Sequence, residues 1–299
     1  AGGKGIRPAL LVLSGQMFGA DIDDLLYPAA SVEILHNATL IIDDIIDNSE
    51  FRRDQPTCWK KFGNSIAQCT AFFYISPVFA GLTRSKHTSE LVDLYSKTLK
   101  VLVDGEIKDI LFERSGREDE DYVVQNRYKS ITKDDYLQMV GEKTASLLQS
   151  SCQAGAIVAG ATKEQVKLVG DFGYNLGMAF QIQDDILDLF GNEKDFGKKI
   201  GKDIIEKKMG NYVILSAVEQ LSEADRSTIT ELLEGPDVIT GKDVEEIIQI
   251  IRTTKAKDDS ISTARDYISA AHDSLSKLPD NIPGLYLGKI ADYIVARDR

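Results

Sequence analysis

One acidic signature occurs twice in this chain, and each copy lies in a long apolar stretch without helix breakers. The first copy, DDIID, occupies residues 43–47, and the second, DDILD, occupies residues 184–188. In a helix, residues i and i+4 share one face, so the first and last aspartates of each copy stack one turn apart. The sequence therefore predicts two long helices that each present a pair of carboxylates on one face.

The paired carboxylates indicate a bound cation. Like charges one turn apart repel by roughly 0.2–0.5 kcal/mol on a solvated helix, and by more where water is scarce. Carboxylates with few His or Cys nearby favour Mg²⁺, which binds carboxylates, water and substrate phosphate. A single copy would more often be a solvated helix face, but the residues one turn away here are apolar: Leu40, Ile46, Phe180 and Leu187. Two such copies predict a metal site.

Composition and periodicity predict an all-α protein. The 299 residues include only seven Pro, and long stretches show helical periodicity. Capping sequences at Thr132, Thr162, Ser222 and Thr240 mark four helix starts. No linker or low-complexity tract divides the chain, so a single domain over residues 1–299 is predicted. Helices are predicted at residues 6–18, 23–48, 63–84, 88–114, 133–160, 163–190, 204–220, 223–234, 241–253, 256–277 and 284–297.

Composition also limits the classes of partner and compartment. The net charge of −12 argues against a nucleic-acid partner, because no basic surplus is present to neutralise phosphates. The three Cys form no CxxC pair and predict reduced thiols in a cytoplasmic protein. No run of 18 apolar residues occurs, so no transmembrane helix is expected. The chain opens at AGGKG, and we expect natural residues to precede it.

Three basic elements accompany the acidic motifs. Residues 49–62 follow the first motif, and residues 191–203, with four Lys and three Gly, follow the second. Residues 2–8 combine glycines with Lys4 and Arg7, and such glycines let backbone N–H groups approach a phosphate. On an acidic protein these clusters predict an anionic ligand held jointly by metals and cations, although each loop alone could simply be polar.

Taken in order, these motifs resemble the trans-isoprenyl diphosphate synthase (polyprenyl synthetase) family. The matching segments are GGKGIRP at 2–8, DDIIDNSEFRRDQPT at 43–57, EKT at 142–144 and FQIQDDILDLFGNEKDFGKKIGKD at 180–203. The resemblance covers residues 2 to about 211, and the helical tail is compatible with it. Terpene cyclases also carry DDxxD on a helical domain, but they usually lack the second copy and the GGKxxRP segment.

This chain departs from the family pattern at three points. Gly5 stands where a second basic residue is common, and Asp54 stands where Gly usually follows the paired Arg. Ala71-Phe72 replaces a frequent Gly-Asp in the next helix. The first two departures bear on loop charge and flexibility, and the third on the shape of the cavity more than on chemistry.

The resemblance implies both a fold and a reaction. The fold is a single large helical bundle with a central cavity, of the isoprenoid synthase type, and the assembly is a homodimer. The reaction joins an allylic diphosphate to isopentenyl diphosphate and releases diphosphate, with about three Mg²⁺ per active site. The implied metal ligands are Asp43, Asp47 and Asp184, with Asp44, Asp185 and Asp188 as further ligands or as supports for bound water.

The resemblance also assigns roles to cations and polar groups. The allylic diphosphate is expected to bind Arg52, Lys143 and Lys198, with Lys208 as a weaker candidate. The acceptor diphosphate is expected to bind Lys4, Arg7 and Arg53, with a further polar contact from His36. The allylic carbocation is expected to be stabilised by Thr144, Gln181 and the carbonyl of Lys143.

The resemblance implies that product length depends on the residues before the first motif. Ala38 and Thr39, five and four positions before it, are small where bulky residues would stop growth at fifteen carbons. We therefore expect a product of twenty carbons or more, with geranylgeranyl diphosphate the first choice and twenty-five to forty carbons the alternative. The next residues that could stop the growing tail are Ile34, Leu35 or residues 72–74, but Ala38 could instead pack on a neighbouring helix.

Two other functions stay open: a non-catalytic scaffold subunit of a heteromeric synthase, and a farnesyl diphosphate synthase.

Overall fold

The structure is a computed structural model that describes residues 3, 5–114, 116–191, 200–235 and 238–296. Within these ranges the only strands are a two-residue antiparallel pair, which confirms the predicted all-α fold. The elements are α1 (Ile6–Met17), α2 (Ile22–Ile46), β1 (Phe51–Arg52), β2 (Gln55–Pro56), α3 (Cys58–Phe62), α4 (Asn64–Leu82), α5 (Thr88–Phe112), α6 (Asp121–Asn126), α7 (Lys133–Val140), a π-helical segment (Gly141–Ala145), α8 (Ser146–Val158), α9 (Lys163–Phe190), α10 (Lys202–Ile205), α11 (Tyr212–Val218), α12 (Glu223–Glu234), α13 (Gly241–Arg252), α14 (Ala256–Leu275) and α15 (Ile282–Ala296).

The first of two compact units comprises Ala1–Thr98, Leu147–Gly173 and Ser274–Gly288. In this unit α2 packs against both α1 and α4. The closest approach in its core is between α1 and α8, because a Cβ on Gly155 would lie only 2.1 Å from the carbonyl oxygen of Leu11. Fully buried side chains of this core include Leu10, Leu25, Leu35, Leu82 and Tyr95.

Helices α2 and α4 are long and apolar enough to cross a membrane by length and composition alone. They pack against each other within the first unit. Core helices of helical bundles meet the same criteria, so length and composition do not distinguish a membrane-spanning helix from a core helix. The expectation of no transmembrane helix stays a prediction.

The second unit comprises Leu99–Ser146, Tyr174–Asp273 and Lys289–Arg299. Its apolar core is contributed by α5, α7, α9 and the helices that follow α10, and it is closed around large buried side chains. Members of this core include Phe112, Tyr136, Ile182, Val213 and Ile247. The prediction of one domain over the whole chain stays a prediction.

Local capping explains where several helices begin. The hydroxyls of Thr132 and Thr240 accept hydrogen bonds from backbone N–H groups three residues on, and both sites form complete capping boxes. Ser222 accepts in the same way at the start of α12, and Thr162 does so before α9. These four predicted helix starts are confirmed.

Two predicted helices are interrupted. The segment predicted as one helix over 204–220 is split into α10 and α11, because the Asn211 side chain accepts from two N–H groups and starts a new helix. Lys207, just before the break, has a positive φ of 56°. The segment predicted over 133–160 contains the π-helical turn at Gly141–Ala145. The sequence analysis missed α3, α6 and the β1–β2 hairpin altogether.

Candidate functional site

The first acidic motif lies at the carboxyl-terminal end of α2. Asp43 is in the last turn of the helix, and Asp47 is its C-cap residue, whose N–H donates to the Asp43 carbonyl at 2.8 Å. The exposed carbonyls at a helix C-terminus favour cations, yet this last turn contains acids and no basic residue. Both side chains are half-buried. The aspartates add their negative charge to the negative end of the helix dipole, so this end of α2 favours a bound metal ion.

Asp44, the middle residue of this motif, serves a different purpose. It is only 4% exposed, and its Oδ1 accepts from Nε of Arg52 at 2.7 Å. Arg52 lies on β1, and the two-residue turn that follows has φ of 52° at Arg53 and 59° at Asp54. Positive φ at both positions is typical of a type I′ hairpin turn. The buried carboxylate thus anchors the hairpin that carries both predicted arginines.

Three predicted anion-binding residues meet in the first unit. The guanidinium of Arg53 lies against Gly3, where a Cβ would be 3.0 Å from Nη1. Nη1 of Arg7 lies 3.0 Å from Nε2 of His36 on α2. Arg7 from the amino-terminal segment and Arg53 from the hairpin therefore lie beside α2, and their role in binding the acceptor diphosphate stays a prediction. Lys4 lies outside the described residues.

The titration properties of this cluster follow from burial. Burial lowers the pKa of Arg7 to about 10, although the carboxylates of Glu33 and Asp43 oppose the shift. Burial and the charges of Arg7, Arg53 and Arg52 lower the pKa of His36 to about 3. His36 is therefore neutral at physiological pH, and its Nε2 accepts a hydrogen bond from Arg7.

A cavity of about 660 Å³ lies in the first unit, lined by α2, the hairpin, α3 and α4. Asp44 and the hairpin arginines form its polar wall, and Ile34, Phe73 and Tyr74 are among its apolar residues. At 100° per residue, the α2 residues that line it face away from Thr39. Ala38 is buried. The product-length prediction therefore concerns the other side of α2 and stays a prediction.

The second acidic motif lies in the last two turns of α9. Asp184 is half-buried, whereas Asp185 is 3% exposed. Oδ2 of Asp185 accepts from the hydroxyl of Tyr136 at 2.6 Å and from the N–H of Tyr212 at 2.7 Å, and Oδ1 accepts from Nε2 of Gln181 at 3.2 Å. Burial, together with a nearby carboxylate, raises the pKa of Asp185 well above its ordinary value despite these donors.

Asp188, the last residue of the motif, holds the segment that leads into α10. It is 8% exposed, and its two oxygens accept from the N–H groups of Lys202 at 3.1 Å and Asp203 at 3.2 Å. The N–H of Gly201 donates to the Asp188 carbonyl at 2.7 Å. Asp188 therefore caps the start of α10 from within α9.

Lys143 and Thr144 lie on the π-helical segment. An inserted residue of this kind widens a helix locally and is frequent at functional sites. Two glycines let neighbouring helices approach this segment closely. A Cβ on Gly105 of α5 would lie 2.4 Å from the backbone nitrogen of Lys143, and a Cβ on Gly177 of α9 would lie 2.5 Å from Cα of Ala145. The hydroxyl of Thr144 donates to Oε1 of Gln181 at 3.2 Å.

Two acids on α5 hold the side chain of Lys143. Its Nζ lies 2.6 Å from Oδ2 of Asp109 and 2.8 Å from Oε2 of Glu106. Burial alone would raise the pKa of Asp109, but Lys143 and Lys208 hold it below its ordinary value. Nζ of Lys208 also lies 3.3 Å from Glu206. The second unit thus brings Lys143 and Lys208 into one charged neighbourhood.

Sequence reasoning missed three residues of this neighbourhood. Glu106 and Asp109 are spaced one turn apart on α5, but this helix carries several other charged residues, so nothing in the sequence marks these two as a buried pair. Nothing in the sequence marks Tyr136 as a residue of the site, because buried tyrosines are common in protein cores. Lys198, a predicted ligand of the allylic diphosphate, lies outside the described residues.

The donor set fits magnesium as a hard cation. Mg²⁺ is commonly held by one or two carboxylates that leave room for water and substrate phosphate. The half-buried carboxylates of Asp43 and Asp47 at the end of α2, and of Asp184 in the last two turns of α9, are of the kind that Mg²⁺ binds. In the part of the chain that the structure describes, no group of three or more His, Cys, Asp or Glu side chains is arranged to hold a metal ion.

Comparison with known proteins gives a consistent result. The polyprenyl synthetase family model matches residues 1–251. A short chain isoprenyl diphosphate synthase of Methanothermobacter thermautotrophicus is 33% identical over 100% of this chain and 87% of its own length. Heptaprenyl diphosphate synthase component 2 of Bacillus subtilis is 33% identical over 99% and 80%. The crystal structure of a geranylgeranyl pyrophosphate synthetase from Pyrococcus horikoshii superimposes with a TM-score of 0.89 at 29% identity, covering 99% of this chain and 86% of that one.

These matches confirm the resemblance inferred from the motifs. The two relatives and the solved structure match 99–100% of the chain, and the family uses isopentenyl and allylic diphosphates as substrates. The chain belongs to the polyprenyl synthetase family and is a trans-prenyltransferase of the chain-elongating kind.

Proposed function

We propose that this chain is an active, Mg²⁺-dependent synthase that condenses isopentenyl diphosphate with an allylic diphosphate. The observation that carries the proposal is the placement of half-buried aspartates near the carboxyl-terminal ends of two long helices, with Asp43 and Asp47 at the end of α2 and Asp184 in the last two turns of α9. At the end of α2 the helix dipole adds to the negative charge. Such charge needs a cation, and a diphosphate bound through that cation becomes a better leaving group.

The proposed metal ligands are Asp43, Asp47 and Asp184. When bound, Mg²⁺ neutralises the charge that develops on the departing diphosphate. The buried aspartates of the two motifs keep protein groups in place: Asp44 holds Arg52, Asp185 holds Gln181, and Asp188 holds the start of α10. About three Mg²⁺ per active site are proposed from the family, and the carboxylates present support a hard cation.

The acceptor diphosphate is proposed to bind the cluster of Arg7, Arg53, His36 and Lys4. Support comes from the contacts of Arg7 with His36 and of Arg53 with Gly3, which gather positive charge without a metal. Because His36 is neutral, it orients Arg7 and adds no charge of its own. Charge-assisted contacts of Arg to phosphate are among the stronger hydrogen bonds in proteins.

The allylic diphosphate is proposed to bind Arg52, Lys143 and Lys198, with Lys208 as a weaker contact. Ionisation breaks the C–O bond of the allylic diphosphate and leaves a carbocation, which the acceptor double bond attacks. The new cation then loses a proton, which the released diphosphate is proposed to accept. Thr144, Gln181 and the carbonyl of Lys143 are proposed to stabilise that cation with partial negative charge. The hydrogen bond between Thr144 and Gln181 supports a shared role.

The proposed product contains twenty carbons or more, with geranylgeranyl diphosphate the first choice. Ala38 and Thr39 support this length because they leave room for the growing tail beneath the first motif. The names of similar proteins support a range of product lengths, because they include a short chain isoprenyl, a geranylgeranyl and a heptaprenyl diphosphate synthase. A cytoplasmic homodimer is proposed from the family, and farnesyl diphosphate is the shorter alternative product.

A second candidate function is a scaffold subunit of a heteromeric synthase, since the Bacillus subtilis relative is named as component 2 of a heptaprenyl diphosphate synthase. The retained acids and cations, including Lys143 with its two carboxylate partners, speak against it. A coupled diphosphate-release assay on the purified chain with both substrates and Mg²⁺ separates the two. Release by the chain alone supports an active synthase, and release only after a second subunit is added supports the scaffold.

A further inference from the structure

We propose that Tyr136 on α7 is a positioning residue for chain elongation, because its hydroxyl fixes the carboxylate that orients the amide of Gln181. The inference rests on the proposed function, in which Gln181 stabilises the allylic cation. It concerns the second unit only.

A continuous series of hydrogen bonds connects the two residues. The Tyr136 hydroxyl donates to Oδ2 of Asp185 at 2.6 Å, and the Tyr212 N–H donates to the same oxygen at 2.7 Å. The other oxygen, Oδ1, accepts from Nε2 of Gln181 at 3.2 Å. Oε1 of Gln181 accepts from the Thr144 hydroxyl at 3.2 Å. The amide of Gln181 is therefore held at both ends.

The series decides which end of the amide faces which neighbour. In the structure the NH₂ group of Gln181 donates to Oδ1 of Asp185, and its amide oxygen accepts from the Thr144 hydroxyl, so the oxygen points away from Asp185. An amide oxygen carries partial negative charge and stabilises a nearby cation, whereas a flipped amide would present its positive N–H edge. Because the cation exists only along the reaction path, the orientation affects kcat and leaves ground-state binding unchanged.

Tyr136 is well placed to control the carboxylate. Its side chain is 1% exposed, and its ring packs against that of Tyr212 with centroids 5.7 Å apart. The ring cannot turn without disturbing the core, so its hydroxyl is a fixed donor. Without that donor, Oδ2 of Asp185 keeps only the backbone N–H of Tyr212, and the carboxylate is less constrained in rotation.

The first test is steady-state kinetics of Tyr136→Phe with Mg²⁺. The expected kcat falls about tenfold, while the KM of each diphosphate and the Mg²⁺ concentration for half-maximal rate stay within about twofold. Thr263→Val is the matched control, because it removes the hydroxyl that pairs with the Tyr212 hydroxyl at 3.2 Å and leaves the series intact. Its kcat is expected to stay within about twofold of wild type.

A double-mutant cycle separates positioning from general loss of structure. In the Gln181→Ala background, Tyr136→Phe should lower kcat by less than about twofold, because the group it acts through is gone. An equal tenfold loss in both backgrounds would overturn the proposal. A rise in either KM without a change in kcat would overturn it as well.

If Tyr136→Phe does not fold, Asp185→Asn provides the test. The donors of Tyr136 and Tyr212 would hold the Asn oxygen, its NH₂ would face Gln181, and the amide of Gln181 would have to flip. The expected kcat falls at least about tenfold with an unchanged Mg²⁺ requirement. Wild-type kcat, or a raised Mg²⁺ requirement, would refute the positioning role. Failure of the wild-type chain to elongate any primer would instead refute the proposed function.

Discussion

At the scale of single residues, the six aspartates of the two motifs differ in what they hold. Three are buried and accept hydrogen bonds from other parts of the chain: Asp44, Asp185 and Asp188. The other three are half-buried at helix ends and are the proposed metal ligands. The repeated motif by itself does not distinguish the six, and the family resemblance singled out Asp43, Asp47 and Asp184 as ligands. Burial and hydrogen-bond partners depend on residues outside the motif, so they are seen only in the structure.

This difference predicts opposite effects of removing a carboxylate. Asp184→Ala or Asp43→Ala should lower turnover at least about a hundredfold without loss of stability, since charge repulsion is relieved. Asp188→Ala should instead lower the free energy of unfolding by about 1–2 kcal/mol, because α10 loses its cap. Diphosphate-release kinetics and urea unfolding measure both quantities. Near-normal turnover of Asp184→Ala would contradict the metal assignment.

A second prediction concerns the pH dependence of stability. The pKa of His36 is about 3 in the folded protein and near 6.5 when unfolded, so the unfolded chain binds the extra proton as pH falls through 6.5. Between pH 7.5 and pH 5.5 this residue should reduce the free energy of unfolding by about 1.4 kcal/mol. Urea unfolding of wild type and His36→Gln at both pH values gives the difference. An identical pH dependence in the two proteins would show that His36 titrates normally.

At the scale of elements, local sequence signals were sufficient where a helix end is set by its own residues. The capping threonines and Ser222 predicted helix starts that the structure confirms. The break at Asn211 is also set locally, by the side chain that accepts from the N–H groups of Val213 and Ile214, but it lacks the capping sequence that marked the other helix starts. The π-helical segment was not predictable, because it depends on packing. The segment Gly141–Ala145 is approached by glycines from two other helices, and no local pattern encodes that approach.

The close approach at Gly105 is itself testable. Gly105→Ala would place a Cβ 2.4 Å from the Lys143 nitrogen, so the π-helical segment must shift. We expect a loss of roughly 1–3 kcal/mol in the free energy of unfolding and a fall in kcat, because Lys143 and Thr144 move.

Gly241→Ala is the control, since nothing among the described residues lies within 4 Å of the added Cβ at the start of α13. Chemical unfolding should show that Gly241→Ala is neutral or stabilising by up to about 1 kcal/mol. Equal stability of the two variants would contradict this account.

At the scale of the whole molecule, the chain is acidic overall but concentrates cations where diphosphates are proposed to bind. The net charge is −12, yet Arg7, Arg52 and Arg53 gather beside α2. The all-α fold class followed from composition and helical periodicity, and the reaction class followed from the family resemblance of the ordered motifs. Product length did not, because it depends on how the whole cavity is closed and not on one motif.

The product-length proposal is tested by enlarging the residues before the first motif. Ala38→Phe should shift the main product toward fifteen carbons while turnover continues, because a bulky ring would stop the tail near the metal site. Liquid chromatography with mass spectrometry of the dephosphorylated products gives the distribution. Ala38→Val is the matched control and should shift it less. An unchanged distribution in Ala38→Phe would mean that other residues set the length.

The most direct test of the central claim is product analysis of the wild-type chain. The purified protein is incubated with an allylic primer, excess isopentenyl diphosphate and Mg²⁺, and a parallel sample receives excess EDTA. We predict prenyl diphosphates of twenty carbons or more with Mg²⁺ and no elongation with EDTA. Elongation that persists in EDTA, or no elongation by the chain alone with Mg²⁺, would contradict the claim.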